Sequence, residues 1–324
     1  PIYNVHVPRI PADENGVYPH LADNSRLGEN WEQHNHTITE HLQEHVIHLA
    51  VSDYEPTTAM IASRTGTPLI TVDQQSKLFA AAPTLNGRNG ADERARLMLF
   101  FPHAAERIAC SFFRMEHARP AGKDPHVNIV GVPWRTHTQP PIKDTHHLVY
   151  LSGSDAGTIT ELAPVLNTLN RIPEQTFIVS SSQQCCNTNT KHTHRNVVVL
   201  PHGSKDFQLL AAQATSILST AGHGILSEAA QRSQPVYAVS NGLYEQDLNA
   251  YMIEKAGVGE HHEDFTKERI AGFLSHIGKY RSAYTSKNPV LLTQDSTTYI
   301  LDRLSQHLTA NKRTDPPTTA GGSV

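Results

Sequence analysis

From residue 148 onward, short apolar runs alternate with helical segments, and this alternation constrains the fold more than any other feature of the chain. Strands are expected over 148–151, 177–179, 197–200, 216–218 and 236–239. Helices are expected over 158–170, 207–213, 224–231 and 245–256. Near-continuous apolar strands separated by helices call for a mostly parallel sheet covered on both faces. A looser version of the same pattern comes first. A helical segment around 31–45 leads into a buried-type strand over 46–52, and a helix over 57–65 stops at Gly66. Next come a strand over 68–72, a long helix over 91–101, and strands over 107–113 and 127–130. Pro56 suits a first helical turn, where its missing N–H would have no partner.

Pro133, Pro140 and Pro141 mark 131–144 as a hinge between the two halves. The expected fold class is therefore α/β, with two Rossmann-like parallel-sheet domains facing a cleft. Residues 1–135 form the first and 136–311 the second, with 312–324 a Pro/Thr/Gly-rich disordered tail. A length of 324 residues fits two domains better than one.

A formal charge of −4, with no basic stripe, argues against a nucleic-acid partner. No apolar run approaches bilayer length, and no signal peptide is recognisable. Cys110, Cys185 and Cys186 are too few and too clustered for a disulfide framework, which fits a reducing, cytoplasmic setting. The 21 histidines include the close pairs His34/His36, His146/His147, His192/His194 and His261/His262. None has metal-ligand spacing or a supporting Cys or carboxylate, so surface histidines are expected and no metal.

In open α/β sheets, ligands gather beyond the carboxyl ends of the strands. Four loops of the second half fall there: Ser152-Gly153-Ser154, Pro201-His202-Gly203, Thr220 to Gly224, and Asn241 to Gln246. Gly153 with its serines, and Gly222 and Gly224 at a helix start, can offer N–H groups to a phosphate that the helix dipole favours. The same glycines could simply allow tight strand–helix turns. Glu228 lies between Ile225-Leu226 and Ala229-Ala230, where a carboxylate needs partners. Two ribose hydroxyls would serve; a salt bridge to Arg232 is the alternative. Glu245, Gln246 and Asn249 open the next helix on adjoining faces and suit sugar hydroxyls, although Glu245 is also explained by the dipole alone. His223 could donate to a phosphate oxygen or lie on the surface.

The run Thr220-Ala-Gly-His-Gly-Ile-Leu-Ser-Glu-Ala229, then Gln234-Pro-Val236, Tyr244-Glu-Gln-Asp-Leu-Asn-Ala250 and Glu254-Lys-Ala-Gly-Val-Gly259, resembles the donor-binding half of two-domain, GT-B-type nucleotide-sugar glycosyltransferases. The likeness is strongest to the type related to the peptidoglycan-precursor N-acetylglucosaminyltransferase and to a poorly characterised microbial branch of that group. Val51 to Pro56 and Thr71 to Gln75 resemble strand ends of that branch's acceptor domain, and Val130 to Pro133 its interdomain crossing. The resemblance spans about 46–259 and is specific around 222–249. It implies a hexosyl transfer from a nucleoside-diphosphate sugar, UDP-linked, to an acceptor hydroxyl of a small molecule, glycan or lipid-linked substrate. Ser152 to Ser154, His202 and Gly222 to Gly224 would lie on the donor, Glu228 on its ribose, and Glu245, Gln246 and Asn249 on the sugar or the adjacent phosphate. It also implies no cofactor and no metal, because helix dipole and N–H groups stabilise the leaving diphosphate.

Such enzymes open with a strand and a Gly-rich turn bearing a histidine. This chain opens Pro1-Ile-Tyr-Asn4, so the first domain is expected to be incomplete at its start. A base for the acceptor is sought among Asp53, Glu55 and His103; helix capping by Asp53 ahead of Pro56 competes with that role. A 2-epimerase of sugar nucleotides and a non-catalytic nucleotide-sugar binder are the other two readings. A lipid-linked acceptor would imply peripheral contact at the inner membrane face. Met98 to Pro102 is the candidate patch, unless it is the end of a core helix.

Overall fold

The computed structural model describes residues 40, 45, 47–81, 83–115, 127–134, 145–152, 161–181, 195–240, 242–285 and 287–312. Two parallel sheets organise them. The first runs in the order β1 (Ala50–Ser52), β2 (Leu69–Asp73), β3 (Ala104–Cys110), β4 (Val127–Val130). Helix α1 (Pro56–Thr65) connects β1 to β2, and helix α2 (Ala91–Phe100) leads into β3. Glu55 caps α1 with its side chain, and Gly66, at φ 68°, ends it in the left-handed conformation that glycine adopts most readily. A 3-10 turn, Gln75–Phe79, follows β2 directly.

The second sheet is built from β5 (His146–Leu151), β6 (Phe177–Ser181), β7 (Val197–Pro201), β8 (Ala214–Ser219), β9 (Val236–Val239) and β10 (Gly259–His262). Its spatial order is β10-β9-β8-β5-β6-β7, parallel throughout, so the order reverses beside β5 and β8. Helices α3 (Leu162–Leu169), α4 (Phe207–Gln213), α5 (His223–Gln231) and α6 (Tyr244–Lys255) connect these strands. Beyond β10 come α7 (Lys267–Ser275), α8 (Ile277–Ser282) and the long α9 (Thr297–Lys312). One apolar layer gathers Leu148, Ile217, Leu226, Val236, Leu248 and Ile253. The opposite face holds Val149, Leu166, Phe177, Leu218, Tyr237 and Phe273. Burial on both faces is what the near-continuous apolar strands require.

Several expectations need correction. The strand placed at 107–113 ends at Cys110, and Phe112 and Phe113 leave the sheet. Phe113 instead bridges antiparallel to Leu291, Leu292 N–H donates to the Phe112 carbonyl at 2.8 Å, and both rings join the second domain's core. The division at 136–311 separates α9 from its packing partners. Ile300 and Leu304 of α9 cover Ile70 and Ile108 of the first sheet. Glu106 of β3 accepts from Arg303 Nη2 at 2.7 Å and pairs with His307 Nε2 at 2.7 Å. An amphipathic terminal helix carries no label for the sheet it will cover, so pattern alone left it with its sequence neighbours.

The histidine pairs within the described residues are not loose surface groups. His146 and His147 are buried at the start of β5, each with both ring nitrogens in hydrogen bonds. His261 bonds Ser240, and His262 bonds Glu260 while stacking on Tyr237. In the patch 98–102, Phe100 and Phe101 are buried in the first domain's core and only Met98 and Pro102 are exposed, so the core-helix reading prevails. The opening segment, Cys185, Cys186, most of the hinge and the tail lie outside the described residues.

The chain crosses between domains twice, and the crossings touch. Gly131 lies so close to the Gln294 carbonyl that a Cβ there would overlap it. Ser296 Oγ donates to the Gly131 carbonyl at 2.5 Å, and Trp134 N–H to Asp295 at 3.0 Å.

Candidate active site

The carboxyl ends of the two sheets face each other, and polar contacts cross between them. Gln74, just after β2, donates from Nε2 to Glu245 Oε1 at 2.7 Å. Arg88 bonds Asp247 and the Gly242 carbonyl, and the Tyr244 hydroxyl donates to the Pro83 carbonyl at 2.8 Å. A cavity of about 240 Å³ opens beside these contacts, lined by residues 87–93 and 243–245.

On the second sheet, β8 delivers the chain to α5 through Thr220, Ala221 and Gly222. Ala221 holds φ 56°, the left-handed region that a side chain disfavours by about 1–3 kcal/mol. Asn249 Nδ2 donates to the Ala221 carbonyl at 3.0 Å and lies 3.5 Å from Glu245 Oε1, fastening the turn to the start of α6. Gly222 is the N-cap of α5 and has no side chain to bond the first N–H groups. Space is open where a Cβ would stand on Gly222 or Gly224. Across from the turn, Ser152 at the end of β5 bonds Thr220 Oγ1 through its N–H at 3.1 Å and its hydroxyl at 2.6 Å. Gly153 and Ser154 lie outside the described residues.

Three buried polar atoms around this turn have no hydrogen-bond partner among the described residues: Ser219 Oγ, His223 Nε2 and Asn249 Oδ1. Leaving each unmade costs about 1–3 kcal/mol, so their grouping at one strand–helix turn suits a polar ligand. His223 Nδ1 lies 3.2 Å from Ser227 Oγ, and its ring sits 5.2 Å from that of Phe112. Burial, reinforced by Lys77, holds its pKa well below the usual histidine value, so it is a neutral ring.

Glu228 is half-buried and pairs with Arg232 at 2.9 Å, as the alternative reading foresaw. That bond occupies Oε2 alone. Burial, and next the charge of Glu228, raise the Tyr150 pKa, and Tyr150 stacks on His202 at 4.8 Å. Glu228, Tyr150 and His202 therefore share one end of the site. His202 Nε2 is buried without a partner among the described residues, and burial lowers the pKa of its ring. Gln246 is buried on α6 beside Glu245.

The three acceptor-side candidates separate. Asp53 follows β1 at the cleft end, exposed and held by no hydrogen bond among the described residues. Burial of part of its carboxyl, and next the charge of Asp73, raise its pKa. Glu55 is committed elsewhere: it accepts from Thr57 N at 2.5 Å and from Thr58 N at 2.8 Å, so the cap ahead of Pro56 is Glu55 and not Asp53. His103 stands before β3, whose seven residues separate it from the cleft by about 20 Å. Strand direction removes it from the site.

Sequence reasoning passed over Lys77 and Arg88, and named Gln74 and Thr220 only within longer runs. The signal existed for two of them: a polar run, Asp73-Gln-Gln-Ser-Lys77, directly after an apolar strand of a parallel sheet.

Two α/β domains of parallel sheet, joined across a cleft, define the GT-B architecture of nucleotide-sugar transferases. The chain belongs to the family described as "Glycosyl transferase family 1", whose profile matches residues 6–278. No curated protein matches it in sequence. Among solved structures it is similar to Os79 from O. sativa in complex with U2F and trichothecene, at TM-score 0.62 and 14% identity, covering 89% of this chain and 84% of that one. Phytolacca americana UGT2, complexed with UDP-2fluoro-glucose and pterostilbene, gives TM-score 0.61 and 14% identity over 89% and 85%. The glycotransferase of kitacinnamycin gives 0.59 and 13% over 90% and 84%. At such identities the likeness establishes the fold.

Proposed function

We propose that this glycosyltransferase moves a hexose from UDP to an acceptor hydroxyl without a metal ion, with Asp53 as the base. One observation carries the reading: unpartnered Ser219 Oγ, His223 Nε2 and Asn249 Oδ1 surround the uncapped start of α5. A diphosphate would meet the free N–H groups and the helix dipole there. The Glu228 end, with Tyr150 and His202, would take the nucleoside, and Glu245 and Asn249 the sugar. The preference for uridine rests on relatives of the same fold that hold UDP or a UDP-sugar.

In the reaction the acceptor oxygen attacks the anomeric carbon as its proton passes to Asp53. The bond to the β-phosphate oxygen breaks, and the leaving diphosphate carries the electron pair into the α5 N–H groups. Stabilisation of that developing charge takes the place a cation would fill. Kinship with the peptidoglycan-precursor N-acetylglucosaminyltransferase, a lipid-linked acceptor and a cytoplasmic setting, peripheral to the inner membrane face, belong to the same proposal.

Calorimetric titration with UDP, TDP and GDP, followed by NMR of each donor sugar with an acceptor panel, tests it. UDP is expected to bind tightest with EDTA present, and Glu228→Ala to weaken it by about tenfold or more. Failure of every nucleoside diphosphate to bind would end the proposal. Inversion at the sugar's C2 without an acceptor would identify a 2-epimerase.

A further inference from the structure

Lys77 is a buried lysine of the first domain that points toward the second domain, with the Phe113 and Phe112 rings between it and His223 of the strand–helix turn. It is 1% exposed, on the 3-10 turn after β2. Its Nζ donates to the Gln74 carbonyl at 2.6 Å and to Gln74 Oε1 at 3.0 Å. An ammonium carries three N–H bonds, so one remains without an acceptor among the described residues. No carboxylate lies within ion-pair distance of it among them, which is costly for a buried cation. Its place relative to the turn follows from the rings that flank it. Lys77 Nζ sits 5.4 Å from the Phe113 ring centre, Phe113 packs on Phe112 at 4.7 Å, and Phe112 touches the His223 ring at 5.2 Å. Gln74 binds Lys77 through its oxygen and Glu245 through its amide nitrogen, joining the lysine to the start of α6.

We propose that Lys77 supplies, from the acceptor-side domain, the positive charge that meets the donor's diphosphate. This deepens the reading given above and rests on it. The second domain offers neutral donors to the phosphates, namely N–H groups, hydroxyls and the neutral ring of His223. Lys77 adds a full charge from across the cleft, so the nucleotide is held by both domains at once.

The groups that face Lys77 are Glu245 from α6, Asp73 from β2, Glu93 from α2, Cys110 from β3 and His223 from α5. Burial drives its pKa down to about 8 against the pull of the three carboxylates. Burial likewise pushes the Cys110 thiol up to about 12, leaving it neutral. An arriving diphosphate favours the charged lysine, so affinity is highest below pH 8 and declines above it.

The experiment compares a nucleoside diphosphate with its matched nucleoside by calorimetry, in wild type, Lys77→Met and Lys77→Arg. Lys77→Met is expected to weaken the diphosphate about 10- to 100-fold and leave the nucleoside unchanged, with Lys77→Arg retaining most of the affinity. Equal losses for both ligands would make Lys77 a structural strut, and no loss would remove it from the site; either overturns the inference while the donor reading stands. Wild type that binds no diphosphate overturns both. Should Lys77→Met not fold, wild type decides: diphosphate affinity is expected to fall by about tenfold per pH unit above pH 8, with nucleoside affinity flat. A flat diphosphate curve from pH 7 to 9 overturns the proposal.

Discussion

The proposed mechanism rests the acceptor's deprotonation on one carboxyl group, that of Asp53. Its pKa is raised by burial and by Asp73, so the acid limb of kcat/KM should lie above the ordinary aspartate value. The same shift sets the sign of its stability effect: the folded state holds this proton more tightly, so its contribution is lost as pH rises from 3.8 through the raised value. Asp53→Asn is expected to lower kcat by about 10²–10⁴-fold with UDP affinity unchanged, checked by steady-state kinetics and calorimetry. Asp73→Asn should move the acid limb toward lower pH. At this scale the sequence placed Gly222 at the strand–helix turn and Asn249 on the helix that fastens it, while Glu228 took the alternative partner, Arg232. It was misleading at Glu55, because a carboxylate ahead of a proline serves a helix cap as well as a catalytic role. His103 was misplaced because a composition of polar residues does not tell which end of a strand they occupy.

One acidic residue, Glu106, supplies the polar part of α9's seat, beside the apolar contacts of Ile300 and Leu304. Burial of Glu106 works against ionisation, but hydrogen bonds from Arg303, His307 and Asn128 outweigh it and hold its carboxyl below the ordinary value. The stabilisation is therefore present above pH 4.5 and lost as pH falls through the depressed pKa. Glu106→Gln should raise amide hydrogen exchange across Thr297–Lys312 by about tenfold, with little change at the α5 turn. Equal protection in the variant would mean that Ile300 and Leu304 suffice. Among elements, the second sheet was nearly all readable, since both its faces are buried and its strands are continuously apolar. The first sheet was less so: β1 has three residues, and Phe112 and Phe113 mimic strand while sealing the junction between domains.

At the scale of the whole molecule, closure rests on a few polar bridges and on the paired crossings. Arg88→Ala removes the bonds to Asp247 and the Gly242 carbonyl, leaving Asp247 buried and unpaired by that partner. Small-angle scattering should then report a larger radius of gyration without ligand, with UDP restoring the wild-type value. An unchanged radius would assign closure to the crossings alone. Gly131→Ala forces a Cβ into the Gln294 carbonyl and should cost about 1–3 kcal/mol, read as a lower Tm. Pro140 and Pro141 of the expected hinge lie outside the described residues, but the two parallel sheets were visible in the alternation. The return of the chain was not, because a second crossing at 290–295 has no composition of its own.

That return has a consequence for biosynthesis. Ile300 and Leu304 complete the apolar cluster over Ile70 and Ile108, so during synthesis the first sheet stays uncovered on that flank until α9 has been made. That sheet ends at Val130 and α9 begins only at Thr297, so the nascent first domain is expected to be sticky and to need shielding while the intervening chain is made.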